Sequence, residues 1–368
     1  MGYQEFDRRK LLIKKLSERK NKLSIEKCHI EPSCKPTGLN KETKEFIYKT
    51  ACKIREARDK EKPVIIAFGA HLIKNGLAPV MIELMKNDWV THLAGNGAGS
   101  IHDWEFAYLG ETSEDVRENV GKGQFGIWDE TGKYINLALI TGAYLGLGYG
   151  EAVGRMILND GLEIPEPDRL EDEARKLIAS DCNKAAAAID LLGVIRRENL
   201  NPGFIKIAHQ WKKYSVQCAA AELNIPFTIH PMFGHYIIYN HPFNHGGALG
   251  RTALTDFLRY VYSVSNIDEG VYLSIGSAIM SPMIFEKALS MAQNIAIQQN
   301  NHIDNHFIVV VDLVESNWNW KENGEPPVSD PAYYMRYNKT FSRMGGEMHY
   351  ITADNRDFLL ELFHNLKQ

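Results

Sequence analysis

No apolar run in this 368-residue chain approaches the ~20 residues that span a bilayer, and its N-terminus opens on charged residues instead of the apolar stretch of a secretory signal. Both absences point to a cytoplasmic protein with no membrane partner. Cysteine is scarce as well. Cys28, Cys34, Cys52, Cys182 and Cys218 are odd in number and contain no CxxC pair, so neither a disulfide framework nor a zinc ribbon is indicated. Internal repeats and low-complexity tracts are missing, which sets solenoids and disordered scaffolds aside. What remains is ordinary globular material, 44% hydrophobic and 24% charged, enough for one large α/β domain or two smaller ones.

Charge is unevenly placed. The net value is −4, yet residues 1–35 carry ten Lys or Arg against five Asp or Glu, which leaves −9 on the rest. Arg8-Arg9-Lys10, Lys14-Lys15 and Arg19-Lys20 are basic enough to meet nucleic acid, but acids interleave them and no aromatic platform accompanies them. The better account is a helix with Leu11, Leu12, Leu16 and Leu23 packed on its own body or a neighbouring subunit, then a linker punctuated by Pro32 and Pro36. Residues 1–40 thus read as a basic helix and linker, and 41–368 as a single α/β domain with no nucleic-acid partner.

Chemistry concentrates first in Val64 to Glu114. A β-branched run, Val64 to Phe68, ends at Gly69, a helical pattern follows through Leu77, Val80, Met81, Leu84 and Met85, and Trp89 to Ala94 reads as a second strand. That strand exits into Gly95-Asn96-Gly97-Ala98-Gly99-Ser100, closely followed by His102-Asp103. In open α/β sheets the ligand crevice lies beyond the carboxyl ends of the strands, where glycine lets backbone approach phosphate or ribose. Elsewhere Asn40 is placed to cap a helix running to about Arg58, and Arg169 to Arg197 reads as one long helix interrupted at most by Gly193. Gly142, Gly146, Gly148, Gly150 and Gly154 tempt a phosphate-loop reading, but no strand precedes them and no Lys-Ser or Lys-Thr follows, so close helix packing is preferred. Further strands are expected at Ile225 to His230, Val271 to Ile275, Phe307 to Val314 and Met348 to Thr352. Strands separated by helices imply a doubly wound, mostly parallel sheet with helices on both faces.

Three later segments also look chemical. His230, His235, His241 and His245 fall within sixteen residues, although their spacing matches no metal signature and no carboxylate accompanies them. Acid–base or substrate contact by His235 or His241 is the stronger reading, and no metal is expected. In YLSIGSAIMSPMIFEKAL a strand meets Gly276-Ser277-Ala278 and a helix that Ser281 or Pro282 can start, a turn suited to an anionic ligand. After Phe307 to Val314 a long loop carries Asp312, Glu315, Asn317, Trp318 and Trp320 and could wall a pocket.

The order of these motifs resembles the deoxyhypusine synthase family from about Pro63 to the end. The resemblance implies a Rossmann-type, NAD-binding sheet, a homotetramer, and active sites at subunit interfaces. It assigns Gly97, Ala98, Gly99 and Ser100 to the cofactor turn, with Asp103 as the acidic end of that motif. HYITADNRDFL resembles the family's strand followed by Ala-Asp-Ala, which places Asp354 and Asn355 by the adenosine of NAD, and IYNHPF puts His241 near the substrate-contacting histidine. Gly276 and Ser277 stand in the family's Gly-Gly-Gly turn.

One departure is decisive. Where the family places the lysine of its covalent imine, this chain reads Gly276-Ser277-Ala278-Ile279-Met280-Ser281-Pro282, and no lysine follows before Lys287. Imine formation needs an amine nucleophile. The family's nearby Glu and Trp are replaced, within DPAYYMRYNK, by apolar or tyrosine positions, leaving Lys339 as the other amine of that region. The expectation is an NAD-dependent oxidoreductase or transferase that acts on a small polar substrate without making deoxyhypusine, with Asp103, His235 and His241 as acid–base candidates. The alternatives are aminobutyl transfer with a relocated lysine, a metal-dependent hydrolase or lyase built on the histidine cluster, and a non-catalytic nucleotide-binding oligomer.

Overall fold

The computed structural model describes residues 2–368, and their contacts divide the chain into two compact units. The stretch 41–368, read from sequence as one domain, is distributed over both. A sheet unit holds Cys28–Ser100, Ala219–His230 and Asp256–Gln368, and a helical unit holds the residues up to Lys27, Ile101–Cys218 and Pro231–Thr255.

Six strands build the sheet unit: β1 (Val64–Phe68), β2 (His92–Gly95), β3 (Phe227–Ile229), β4 (Val271–Ile275), β5 (Phe307–Asp312) and β6 (Glu347–Thr352). Every neighbouring pair is parallel, in the order β3-β2-β1-β4-β5-β6. All five residues of β1 and of β4 are buried, as a parallel sheet covered on both faces requires. The helices that bear on the site and the core are α1 (Lys41–Asp59), α2 (Ala70–Lys74), α3 (Ala78–Lys86), α4 (Gly97–Leu109), α5 (Asp129–Tyr144), α6 (Tyr149–Leu158), α7 (Pro167–Leu177), α8 (Cys182–Glu198), α9 (Gly246–Ser265), α10 (Met280–Gln298) and α11 (Asn355–Lys367). Asn40 caps α1 by accepting the Thr43 N–H. On one sheet face Ile65, Ala67, Tyr272, Ile308 and Val310 pack with Tyr260 and Val264 of α9 and Phe285, Ala288 and Leu289 of α10. Alternation along each strand turns Val64, Ile66 and Phe68 to the other face.

The helical unit has its own core, including Leu137, Ile140, Ile164, Leu170, Leu191 and Ile195. Close helix packing at the glycine run is visible at Gly142, where a Cβ would stand 2.4 Å from that of Ala152. Two short antiparallel ribbons complete the unit, Leu23–Ser24 with Glu111–Thr112 and Gly161–Ile164 with Gly203–Lys206.

Two sequence expectations are corrected here. Arg169 to Arg197 is broken into α7 and α8, because Asp181 accepts the Lys184 N–H and starts a new helix. The N-terminal segment forms no long helix but two 3₁₀ turns, Arg8–Lys10 and Leu16–Glu18, in an otherwise extended strap. Four of its cations meet distant partners: Arg8 donates to the Tyr239 and Asn244 carbonyls, Lys15 pairs with Asp129, Arg19 with Glu105 and Lys22 with Asp115. Only Leu16 of the four leucines is buried, while Leu12 is exposed. Among the described residues no helix is long and apolar enough to cross a membrane.

Candidate functional site

The chain runs outward from β1 through β2 to β3, then returns to begin the other half at β4, so β1 and β4 flank the point where strand order reverses. Loops leaving two such strands diverge to opposite sides and open a crevice at the carboxyl edge. Gly69 follows β1 and Gly276 follows β4. The Gly69 N–H donates to the Ile275 carbonyl at 3.1 Å, and a Cβ on Gly69 would lie 2.1 Å from the Gly276 oxygen. Only glycine allows that approach. Gly276 has φ +56°, and the space its Cβ would enter holds no atom within 4 Å. The two backbones therefore meet closely at the carboxyl edge, with exposed, open space on the other side of Gly276.

Neighbouring elements bring other expected residues to the same edge. Gly97, Ala98, Gly99 and Ser100 form the first turn of α4 instead of a free loop. The cause is Asn96, whose side chain accepts the Gly99 N–H at 2.9 Å and whose carbonyl accepts that of Ser100. Ser277 accepts the Ser281 N–H at 3.2 Å, and Ser281 meets the Tyr272 hydroxyl, itself bonded to that of Tyr260. That buried chain fixes the loop after β4. Beyond β6, Asp354 caps α11 and pairs with Arg356, whose hydrogen bond holds the carboxyl below its usual range. Asn355 accepts from Asn75 at the end of α2.

Asp103, His235 and His241 belong to the helical unit. Asp103 is buried and accepts from Ser215 Oγ, the Val216 and Gln217 N–H groups and Gln217 Nε2. Burial raises its pKa against the pull of those donors. The side chain of His241 lies so close to α5 that a Cβ on Gly132 would stand 2.5 Å from its Cβ and 2.7 Å from its ring. Its Nδ1 accepts the Phe243 N–H, which leaves the proton on Nε2, 3.4 Å from Asp129. His235 is exposed beside Tyr236. His245 Nδ1 accepts the Ala248 N–H in the first turn of α9. Among the described residues no group of three His, Cys, Asp or Glu is gathered as metal ligands.

Sequence reading missed a buried histidine pair in the sheet unit. Thr228 Oγ lies 3.0 Å from both His92 Nε2 and His230 Nε2, and His92 Nδ1 meets Ser263 Oγ at 2.8 Å. Burial depresses both imidazoles to about 3. It also missed Gly69 as the partner of Gly276, although both end apolar β-branched runs.

No family model matches the chain, and no curated protein matches it. Solved structures show a distant likeness. Unliganded AgrE is 12% identical, with 90% of this chain matched to 34% of that one and a TM-score of 0.44. The AgrE ternary complex with ornithine and NAD+ is 13% identical over 90% of this chain and 34% of that one, with a TM-score of 0.44. A conserved putative LOR/SDH protein from Methanococcus maripaludis S2 is 12% identical over 91% and 70% of the two chains, with a TM-score of 0.42. This chain spans about a third of the length of AgrE.

Proposed function

We propose that this protein binds a nicotinamide dinucleotide across the carboxyl edge of β1 and β4 and works on a small polar substrate without making deoxyhypusine. The observation that carries this reading is the reversal of strand order at two glycines whose backbones converge beside open space. Gly69 and Gly276 would admit the pyrophosphate, and Asp354 and Asn355 would lie on the adenosine side. Such a group, when bound, supplies hydride transfer. Asp103 and His241 spend their polar atoms on neighbouring backbone and side chains, and this reading gives them positioning roles.

Calorimetric titration with NAD+ and NADH tests the proposal. Saturable binding is expected, and Gly276→Asn should abolish it while leaving the unfolding midpoint nearly unchanged. Asparagine tolerates left-handed backbone, and its side chain would enter the open space. Absence of saturable binding at millimolar dinucleotide by the folded wild type would overturn the reading.

Borohydride reduction in the presence of spermidine, followed by mass spectrometry, is expected to trap no adduct. Lys287 is half-exposed on α10 and paired with Glu286, and Lys339 lies 3.6 Å from the Tyr333 ring centroid near Glu325. An adduct on either lysine would restore aminobutyl transfer.

A further inference from the structure

Helices α9 and α10 cover one face of the sheet, burying Tyr260, Val264, Phe285 and Leu289 inward. A helix in such a layer ordinarily turns a polar face to solvent. Here four apolar side chains stand on the outward face among uncharged polar ones: Leu258 is 50% exposed, Tyr262 73%, Met291 43% and Ile295 56%. Leu258 and Tyr262 stand one turn apart on α9, and Met291 and Ile295 one turn apart on α10. All four line an open groove of about 770 Å³, and none of its lining residues is Asp, Glu, Lys or Arg.

We propose that this groove is a two-fold contact between two copies of this chain, in which α9 and α10 of one copy pack on α9 and α10 of the other. Two features select a second copy. The four exposed side chains, extended along α10 by the half-exposed Met283, offer on the order of 500 Å² of apolar surface, more than half of the ~800 Å² per partner of a standard interface. An uncharged groove meets itself without like-charge opposition, whereas an acidic or basic partner, or an anionic membrane, would find no countercharge in it. This contact is independent of the dinucleotide proposal.

Sedimentation velocity of the whole chain over a micromolar concentration series is expected to show a monomer–dimer equilibrium. Leu258→Asp and Ile295→Asp should each give a monomer with unchanged circular dichroism, whereas Val120→Asp, at an exposed apolar site of the helical unit, should leave the dimer intact. Tyr262→Ser and Ile295→Ser remove apolar surface without adding charge and should weaken dimerisation by about tenfold or more, which keeps the test decisive if the Asp variants misfold. A wild type that stays monomeric throughout, or an assembly indifferent to the Asp and Ser changes alike, would overturn the proposal.

Discussion

Arg19→Ala is expected to destabilise the helical unit by about 3–5 kcal/mol, the usual consequence of removing one partner from a buried ion pair. Arg19 Nη1 lies 2.8 Å from Glu105 Oε1, and both side chains are 1% exposed. The carboxylate also receives hydroxyl donors from Thr131 and Thr112, and Arg19 Nε bonds to Asn21. Burial alone pushes the Glu105 pKa up, but the charge and hydrogen bond of Arg19 outweigh it and hold the group below its ordinary value. The wild-type pair therefore contributes stability at pH above about 4.5 that fades as the pH falls through the depressed value. Without Arg19 the sign reverses: the buried carboxyl titrates high, so the defect is largest at neutral pH and shrinks on acidification. Urea unfolding of wild type and variant at pH 7.5 and about pH 5 measures both effects. A loss below about 1 kcal/mol at neutral pH, or a defect that grows on acidification, would contradict this account.

The second large effect is an acid sensitivity of the sheet unit that begins well above carboxylate range. His92 and His230 are depressed by burial from 6.5 to about 3, His230 adding repulsion on His92. A base whose folded pKa is lowered gives full stability above its unfolded value and loses it as pH falls toward the folded value, since the unfolded chain alone takes up the proton. Each histidine then contributes a slope approaching 1.4 kcal/mol per pH unit below about pH 6.5, or about 4 kcal/mol for the pair at pH 5. Glu347 and the other paired carboxylates enter only below their own ordinary range, so the window from pH 6.5 to 5 belongs chiefly to buried imidazoles. His209, lowered to about 4, adds a similar contribution in the helical unit. The double variant His92→Gln/His230→Gln should flatten the profile over that window at some expense in stability at pH 8. An unchanged slope in the double variant, or imidazole resonances that titrate near pH 6.5 in the folded protein, would refute the assignment.

Much of the sheet was legible because buried parallel strands announce themselves. Val64–Phe68 and Val271–Ile275 are runs rich in β-branched and aromatic residues and closed by glycine, and both form with the expected bounds. The glycine-rich exit from β2 was placed correctly beyond a strand, but Asn96 turns it into the start of a helix, a capping effect that composition alone obscures. The break at Asp181 was missed for a related reason: a helical pattern on both sides, alanine-rich after it, outweighed one capping residue.

The sequence by itself determined where the buried strands run, where glycine ends β1 and β4, and that no lysine follows Gly276 before Lys287, because these depend on side chains a few positions apart. Tertiary structure alone decided strand order, and with it the reversal between β1 and β4 that brings Gly69 to Gly276. It also decided the fate of individual polar groups. Asp103 finds its donors 112 to 114 residues away, His92 meets Thr228 across 136, and Arg19 reaches Glu105 across 86. Pairings of that span follow from how whole elements stack to bury their apolar faces, and a buried polar group then bonds with whatever the packing sets beside it.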